Sequence, residues 1–304
     1  MGVMRMGYAH VRVTDLAEAK QHYANTMGLY ETLDEGNRVY YKGWDEWDHH
    51  SVVLEEGGVG VVKFGFKVEK PEDIDEIERK AATFGVTTER MSAGENPEVS
   101  DGIRIFTPSE HVLEVYHAQT LIGTEVGTHN PDAFPRHMVG VGVPALDHAL
   151  ILADDVATNE AMFKELFGYF PTERVQTSLD DNHDVIATWL TNNNQIHQIA
   201  ILNGPQGKLH HFAFKLGDWN DVGRAADLFA IDDVPIDIGP TRHGITRGQT
   251  VYFFDPSGNR NEVFAGGYPA YPDRPVNVWT PEQIGKGVFY HARELNERFM
   301  TVST

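Results

Sequence analysis

Three residues in the second half of the chain have the side-chain types of a metal site. His148, His211 and Glu262 lie in LDHALI, HFAFK and NEVF, which are segments typical of strands. Two imidazoles and one carboxylate form the ligand set that binds a non-haem ferrous ion on one face and leaves the opposite coordination positions open. The chain contains no cysteine, so thiolate zinc sites, iron–sulfur clusters and cysteine nucleophiles are excluded. Any metal must be bound through nitrogen and oxygen.

An internal repeat gives each of these residues a counterpart in the first half. Three pairs of segments resemble one another: 8–29 and 146–169, 63–86 and 211–231, 104–116 and 252–264. Their comparison yields three pairs of counterpart residues: His10 and His148, Lys63 and His211, Glu114 and Glu262. The second and third residues are 51 positions apart in both halves. We therefore interpret the chain as two homologous halves.

The first half differs from the second at one of the three positions. A lysine ammonium is charged at neutral pH and has no free lone pair to offer a metal. Because Lys63 stands where the second half has His211, the first half should bind a metal poorly. We expect one metal per chain, bound by the second half.

The repeat also predicts the strands and helices that carry these residues. Each half shows two modules with the order strand, helix and several strands, which predicts an α+β fold of paired βαβββ modules. Helical periodicity is clearest between Pro71 and Gly85, where four apolar residues share one face: Ile74, Ile77, Ala81 and Phe84. The runs RVYYKGW, SVVLEE, DVIATWL and QIAIL predict strands.

The boundary between the halves is predicted within 127–144. Proline and glycine interrupt the periodic pattern there, in GTHNPDAFPRHMVGVGVP. We predict an N-terminal, non-catalytic domain at 1–135 and a C-terminal, metal-binding domain at 136–304. The last stretch of the chain, from PEQIGKG onward, predicts a helix appended to the second domain.

Charge narrows the function classes. The 304 residues include 25 basic and 45 acidic side chains, for a formal net charge of -20. Such a chain repels phosphate backbones and anionic bilayers, so neither nucleic-acid nor membrane-surface binding is expected. The N-terminus lacks the apolar region of a signal peptide, and no run approaches the ~18 apolar residues of a spanning helix. We expect a soluble, cytoplasmic protein.

Several longer segments resemble one enzyme family. LDHALI, KLHHFAFKL, IDIGPTRHGITRG, YFFDPSGNRNEVFAGG, YPDRPV and LNERFMTV closely resemble the catechol 2,3-dioxygenases, or metapyrocatechases. These are extradiol ring-cleaving enzymes of the vicinal oxygen chelate superfamily, whose fold is also that of glyoxalases and bleomycin-resistance proteins. The resemblance covers essentially the whole chain. It implies Fe(II), with Mn(II) not excluded, and a homotetramer. It also implies meta cleavage of catechol and small substituted catechols by dioxygen to 2-hydroxymuconate semialdehyde-type products, in the degradation of aromatic compounds.

The resemblance also assigns roles to individual residues. It makes His148, His211 and Glu262 the metal ligands, while strand alternation should send His210 to the face opposite His211. Three further residues match the acid–base set of the family, and all lie in the second half: His197, His243 and Tyr252. By resemblance, His197 stabilises and protonates the oxygen species, His243 takes the substrate hydroxyl proton, and Tyr252 hydrogen-bonds to substrate and oxygen. In the repeat, Arg104 is the first-half counterpart of Tyr252.

A substrate pocket is also implied. Trp189, Val288 and Phe299 are the residues expected to line it, the last two because they match pocket positions of the family. His49 and His50 lie close to the first-half position of His197, in the polar segment WDEWDHHSVV, and are expected to be exposed to solvent.

Two other classes of protein share this paired-module fold. Isomerases and lyases of the glyoxalase type use zinc, nickel or manganese without consuming oxygen, and drug-sequestering proteins bind ligands without catalysis. Glyoxalase-like sites lack the His197, His243 and Tyr252 constellation, and the binding proteins generally lack the ligand triad. The sequence favours the dioxygenase because ligands and acid–base residues occur together in one half. The preferred catechol substituent, the choice between iron and manganese, and the division of roles between His243 and Tyr252 stay open.

Overall fold

Residues 2–304 are described by a computed structural model, in which the strands form two mixed sheets. The first sheet contains eight strands: β1 Val3–Val13, β2 Tyr30–Asp34, β3 Arg38–Lys42, β4 Val52–Glu56, β5 Gly60–Val68, β6 Thr87–Met91, β7 Gly102–Phe106 and β8 Val112–Tyr116. Their order across the sheet is β2-β3-β4-β1-β5-β8-β7-β6. The two strands that begin the modules, β1 and β5, therefore meet at the centre and pair in antiparallel fashion.

The second sheet repeats this arrangement. Its nine strands are β9 Leu146–Ala153, β10 Phe170–Gln176, β11 Val185–Thr191, β12 Ile199–Asn203, β13 Leu209–Lys215, β14 Ile236–Arg242, β15 Gly248–Phe254, β16 Arg260–Gly266 and β17 Asn277–Trp279. The order is β14-β15-β16-β13-β9-β12-β11-β10-β17, so that β9 and β13 occupy the central positions and β17 adds one edge. The predicted fold of paired βαβββ modules is confirmed.

One helix follows the first strand of each module. These helices are α1 Leu16–Lys20, which continues as a π-helical turn at Gln21–Thr26, α2 Pro71–Phe84, α3 Val156–Phe167 and α4 Trp219–Ile231. The predicted helix α2 is confirmed, with proline in its first turn and a C-cap glycine, Gly85, at φ 94°. Ile74, Ile77 and Ala81 are buried as predicted, and Phe84 is half-buried because it lies in the last turn. None of the helices among residues 2–304 is both long and apolar enough to cross a bilayer.

The end of the chain differs from the prediction of one appended helix. Two short helices occur instead, α5 Ile284–Val288 and α6 Glu297–Thr301. The chain folds back between them, because a Cβ on Gly285 would lie 2.4 Å from the carbonyl oxygen of Arg293. Eight residues of one continuous helix would hold these two positions about 12 Å apart.

Strand register corrects one pair of counterparts in the repeat. Tyr8 pairs with Gly65 across β1 and β5, and His148 pairs with Ala213 across β9 and β13. Asp15 and Asp155, which cap α1 and α3, follow Tyr8 and His148 at the same interval. The prediction that His10 is the counterpart of His148 is therefore wrong, and Tyr8 holds that position. Matching one histidine to the other shifts the alignment of the two segments by two residues, and their weak similarity does not exclude that shift.

The other two pairs of counterparts are confirmed by the parallel pairing of β5 with β8 and of β13 with β16. Gly65 pairs with Glu114, and Ala213 pairs with Glu262. Lys63 and His211 each lie two residues before these partners, so they occupy the same position in their sheets. Tyr252 and Arg104 likewise pair with Glu262 and Glu114.

The two halves are joined by buried contacts. The ring of Phe66 in the first sheet packs against Phe167 at 5.2 Å between centroids. The side chain of Gln198 accepts a hydrogen bond from the backbone N–H of Met6 at 2.7 Å. Irregular chain at 117–145 connects the two sheets. The division at 135 and 136 falls within it and stays a prediction.

Candidate active site

The predicted metal ligands come together from three adjacent strands. Nε2 of His148 on β9 lies 3.0 Å from Oε2 of Glu262 on β16, and Nε2 of His211 on β13 lies 3.1 Å from the same oxygen. All three side chains are buried, and one ligand atom from each falls within a set spanning 4.8 Å or less. The sheet order places β9, β13 and β16 side by side, which brings residues 114 positions apart in the chain into contact.

This geometry fits a metal ion. Nitrogen and oxygen ligands lie ~2.1 Å from a divalent transition metal, and neighbouring ligands of an octahedral ion are then about 3 Å apart. The measured separations of 3.0 and 3.1 Å match that value. Both histidines direct Nε2 toward the carboxylate, so their Nδ1 atoms face outward, where Asp147 and His210 contact them.

Electrostatics favours a charged carboxylate at the centre. Burial alone would raise the pKa of Glu262, but hydrogen bonds with His148 and His211 outweigh it and hold the pKa well below its usual range. Burial would lower the pKa of His148, yet hydrogen bonds with Asp147 and Glu262 raise it to about 9. At His211, burial lowers the pKa more than the hydrogen bond to Glu262 raises it, so the pKa of His211 falls to about 4. A metal at this site must therefore displace a proton from His148.

Sequence reasoning missed two residues that orient the ligands. Asp147 accepts a hydrogen bond from Nδ1 of His148 at 2.7 Å, and the Thr250 hydroxyl donates to Oε1 of Glu262. Both are buried. The available signal was a carboxylate beside the ligand histidine at the start of an otherwise apolar strand, since a buried charge needs a specific partner.

The three predicted acid–base residues lie around the same centre. The ring of His197 packs against His148 at a tilt of 48°, with centroids 3.9 Å apart. Nε2 of His243 lies 3.0 Å from the Tyr252 hydroxyl and 3.6 Å from Oε1 of Glu262. All three side chains are buried.

Hydrogen bonding fixes the tautomer of His243. Its Nδ1 contacts the backbone carbonyl of Val288, which can only accept a hydrogen bond. Nδ1 of a neutral imidazole must then carry the proton, and Nε2 has a free lone pair. That lone pair faces Tyr252 and the ligand triad.

Burial keeps the other two acid–base groups neutral. It lowers the pKa of His197 well below its usual value, helped by the nearby charge of His148. It also raises the pKa of Tyr252 well above its usual value, together with the negative charge of Glu262. Nδ1 of His197 has no hydrogen-bond partner among residues 2–304. The site therefore presents a neutral imidazole and a neutral phenol.

All six residues line one cavity of about 170 Å³. The predicted pocket residues Trp189, Val288 and Phe299 line it too. Most of the remaining lining is apolar and includes Leu150 and Ile245. Such a lining excludes water from the reacting groups and suits a flat, apolar ring.

The prediction for His210 is wrong. Its side chain lines the same cavity as His211, and the two Nδ1 atoms lie 2.7 Å apart. The pairing of β13 with β9 shifts register between Leu209 and His211, and such a bulge disrupts the regular alternation of side chains.

The first half contains a counterpart site in which cations take the place of a metal. Glu114 is fully buried and accepts hydrogen bonds from Lys63 at 2.9 Å and Arg104 at 2.8 Å. The Tyr8 hydroxyl donates to the same carboxylate. The ring of Tyr8 fits there because residue 65 is a glycine, and a Cβ at that position would lie 2.2 Å from the ring. The lysine both removes a ligand and neutralises the carboxylate.

The predicted exposure of His49 and His50 is also wrong, because both are buried. His50 packs against the rings of Tyr8 at 5.4 Å and Tyr40 at 4.9 Å. Backbone pairing shows that His50 is the counterpart of His197, since each lies two residues before the strand that pairs with β1 or β9. The polar neighbours of His49 and His50 in the sequence suggested exposure, yet Asp48 is itself buried and pairs with Lys67 at 2.8 Å.

We expect Lys63→Met to lower the free energy of unfolding by about 3 kcal/mol, because it leaves the buried carboxylate of Glu114 with one cation instead of two. Denaturant unfolding of the metal-free protein measures this. Lys80→Met is the matched control, since Lys80 pairs with Glu76 on the exposed side of α2 and should leave the unfolding midpoint unchanged. Equal midpoints for Lys63→Met and wild type would show that the lysine does not stabilise the first half.

The chain matches known families in both halves. Residues 145–263 match the family model of the Glyoxalase/Bleomycin resistance protein/Dioxygenase superfamily. Residues 63–120 match the model of the Catechol 2,3-dioxygenase-like N-terminal domain. These matches, together with the two sheets and the buried triad, define a protein of the vicinal oxygen chelate fold.

Individual proteins narrow this class. A metapyrocatechase from Pseudomonas sp. (strain CF600) is 42% identical over 100% of this chain and 99% of its own length. A manganese-dependent 2,3-dihydroxybiphenyl 1,2-dioxygenase from Geobacillus genomosp. 3 is 24% identical over 96% of this chain and 95% of its own. The crystal structure of the 2,3-dioxygenase LapB from Pseudomonas sp. KL28 superposes with a TM-score of 0.87 at 40% identity, covering 92% of this chain and 98% of that one. The chain belongs to the metapyrocatechase family of extradiol dioxygenases.

Proposed function

We propose that the protein is an Fe(II)-dependent catechol 2,3-dioxygenase that cleaves catechol and small substituted catechols beside the diol, incorporating both atoms of dioxygen. The observation that carries this proposal is one buried cavity containing the His148, His211 and Glu262 triad, a lone pair on His243 Nε2 and the Tyr252 hydroxyl. The names of the relatives, a metapyrocatechase and a 2,3-dioxygenase, support it.

Binding and orientation follow from the residues of this chain. His148, His211 and Glu262 would hold a ferrous ion, which would supply a site for binding the substrate and activating dioxygen. Trp189, Val288 and Phe299 are proposed to contact the ring, because they line the apolar part of the cavity.

Proton transfer is assigned to the remaining polar groups. We assign His243 to removal of a substrate hydroxyl proton, since its Nε2 has the free lone pair and its Nδ1 is held by the Val288 carbonyl. Tyr252 lies 3.0 Å from that nitrogen and, as a neutral phenol, can donate a hydrogen bond to substrate or oxygen. His197, on the other side of His148, is assigned to stabilising and protonating the oxygen species.

The metal and the assembly belong to the same proposal. Iron is the ion for which two histidines and one carboxylate are typical in oxygenases, while one relative is named as manganese-dependent. We propose a cytoplasmic homotetramer with a non-catalytic domain at 1–135 and a catalytic domain at 136–304. Exposed apolar residues near the connecting segment, including Leu121, Phe134 and Val139, support association with other copies.

Oxygen uptake tests the activity. Metal-free protein is loaded anaerobically with Fe(II) or with Mn(II) and mixed with catechol in an oxygen electrode, while the yellow ring-fission product is followed by absorbance. We expect one oxygen consumed per catechol with the iron-loaded protein. Turnover with manganese alone would overturn the iron assignment, and no uptake with either ion would favour a glyoxalase-type or binding function.

A further inference from the structure

His210 is a buried histidine next to a proposed metal ligand, and it lies in the bulge of β13 described above. Its Nδ1 lies 2.7 Å from Nδ1 of His211, and its Nε2 lies 2.8 Å from the backbone carbonyl of Phe299. Both ring nitrogens therefore have close polar neighbours, and these neighbours determine which nitrogen carries the proton.

The chain of hydrogen bonds begins at the proposed metal position. Nε2 of His211 faces Glu262 at 3.1 Å, so metal binding requires that this nitrogen keep its lone pair. The proton of a neutral His211 must then reside on Nδ1. Within residues 2–304, the hydrogen-bond partner of this N–H is Nδ1 of His210, which must accept the bond and therefore carries no proton. The proton of His210 is left on Nε2, where it donates to the Phe299 carbonyl, a group that can only accept.

The reverse arrangement is incompatible with a bound metal. If Nδ1 of His210 were the donor, His211 would be bare at Nδ1 and protonated at Nε2, the atom that must bind the ion. The Arg260 guanidinium lies 3.2 Å from Nε2 of His210 and could pair with it only in that reverse arrangement. Arg260 has other acceptors, namely the carbonyls of Val302 at 2.7 Å and Arg298 at 3.1 Å.

We propose that His210 is a positioning residue that holds the ligand His211 in its metal-binding tautomer and orientation. Ligand histidines in metal sites usually donate their second N–H to a carboxylate or a carbonyl. His148 does so with Asp147, whereas His211 relies on a second imidazole. That imidazole is in turn anchored to the segment carrying Phe299, whose ring packs on His210 with centroids 4.7 Å apart and lines the cavity. The inference rests on the proposed metal site.

Two amide variants separate this role from a general packing role. Asn places an amide oxygen close to the position of Nδ1 and can accept from His211, whereas Gln places its amide near Nε2 and can reach only Phe299. The affinity for Fe(II) is measured anaerobically by competition with a chromophoric chelator. We expect His210→Asn to bind Fe(II) within ~3-fold of the wild-type affinity. His210→Gln should bind Fe(II) ~10- to ~100-fold more weakly, the usual range when a ligand histidine loses the group that accepts its second N–H.

A spectroscopic signature accompanies the affinities. In the Co(II)-loaded protein, each ligand histidine with a protected Nδ1–H should give one exchangeable, paramagnetically shifted proton signal. Wild type and His210→Asn should show two such signals, and His210→Gln should show one or exchange one much faster. His22→Phe, at a buried histidine outside the cavity, is the folding control and should match wild type in both measurements.

The outcomes distinguish this inference from the proposed function. Wild-type affinity in His210→Gln, or equal weakening in His210→Asn and His210→Gln, would overturn the positioning role. A His211→Ala variant is measured alongside. If it still binds Fe(II) like wild type, the ligand assignment itself is wrong, and the inference about His210 falls with it.

Discussion

Glu262→Gln and Glu262→Ala should each lose bound iron and turnover together. The carboxylate is the one anionic ligand of the proposed site and receives hydrogen bonds from both ligand histidines. Its removal takes away a donor atom and the charge that balances a divalent ion. We expect iron content to fall below about one tenth of an ion per chain, because affinity depends on a complete set of deprotonated ligands. Elemental determination after anaerobic loading, paired with oxygen uptake, measures both quantities.

The glutamine variant distinguishes loss of a metal ligand from loss of the fold. It keeps the shape of the buried side chain, so a similar unfolding midpoint to that of metal-free wild type would show that the fold survives. Glu89→Ala, at an exposed glutamate on β6, is the matched control and should keep full iron and activity. Full iron in Glu262→Gln would show that Glu262 is not a ligand.

His197→Phe should retain iron and bind catechol, yet slow turnover by ~10²- to ~10⁴-fold, the usual contribution of a positioned acid or base. Phenylalanine can keep the ring contacts that the imidazole makes with His148 at 3.9 Å and Phe264 at 5.8 Å between centroids. Nδ1 of His197 makes no hydrogen bond within residues 2–304 whose loss would unfold the site. The decisive readout is turnover divided by iron content.

Two results would contradict the assignment of His197. An iron-replete variant with full turnover would remove it from the proton-transfer set. Loss of iron comparable to that of Glu262→Ala would instead make His197 a ligand, and the triad would have to be revised. Binding of catechol under anaerobic conditions separates a defect in substrate binding from one in oxygen chemistry, since only the latter is expected.

Residue types and the order of the secondary-structure elements could be predicted from the amino-acid sequence. The repeated order of strand, helix and strands predicted the two paired sheets, because hydrophobic periodicity reports which faces are buried. Lys63 against His211 predicted that only one half binds a metal, because an ammonium cannot be a ligand. The segments that resemble metapyrocatechases also pointed to His197, His243 and Tyr252 as one set, and the structure brings these residues to one cavity.

Strand register, and the contacts between segments distant in the chain, could not be predicted from the sequence. Tyr8 rather than His10 opposes Gly65, because pairing is fixed by backbone hydrogen bonds and a slip of two residues preserves the pattern of buried faces. His50 is buried because its ring packs against Tyr8, a residue of a distant strand. The bulge that turns His210 toward His211 follows from pairing across β9 and β13. Local sequence carries periodicity and charge, but it does not specify which hydrogen-bond partner a distant strand supplies, and that partner orients each ligand.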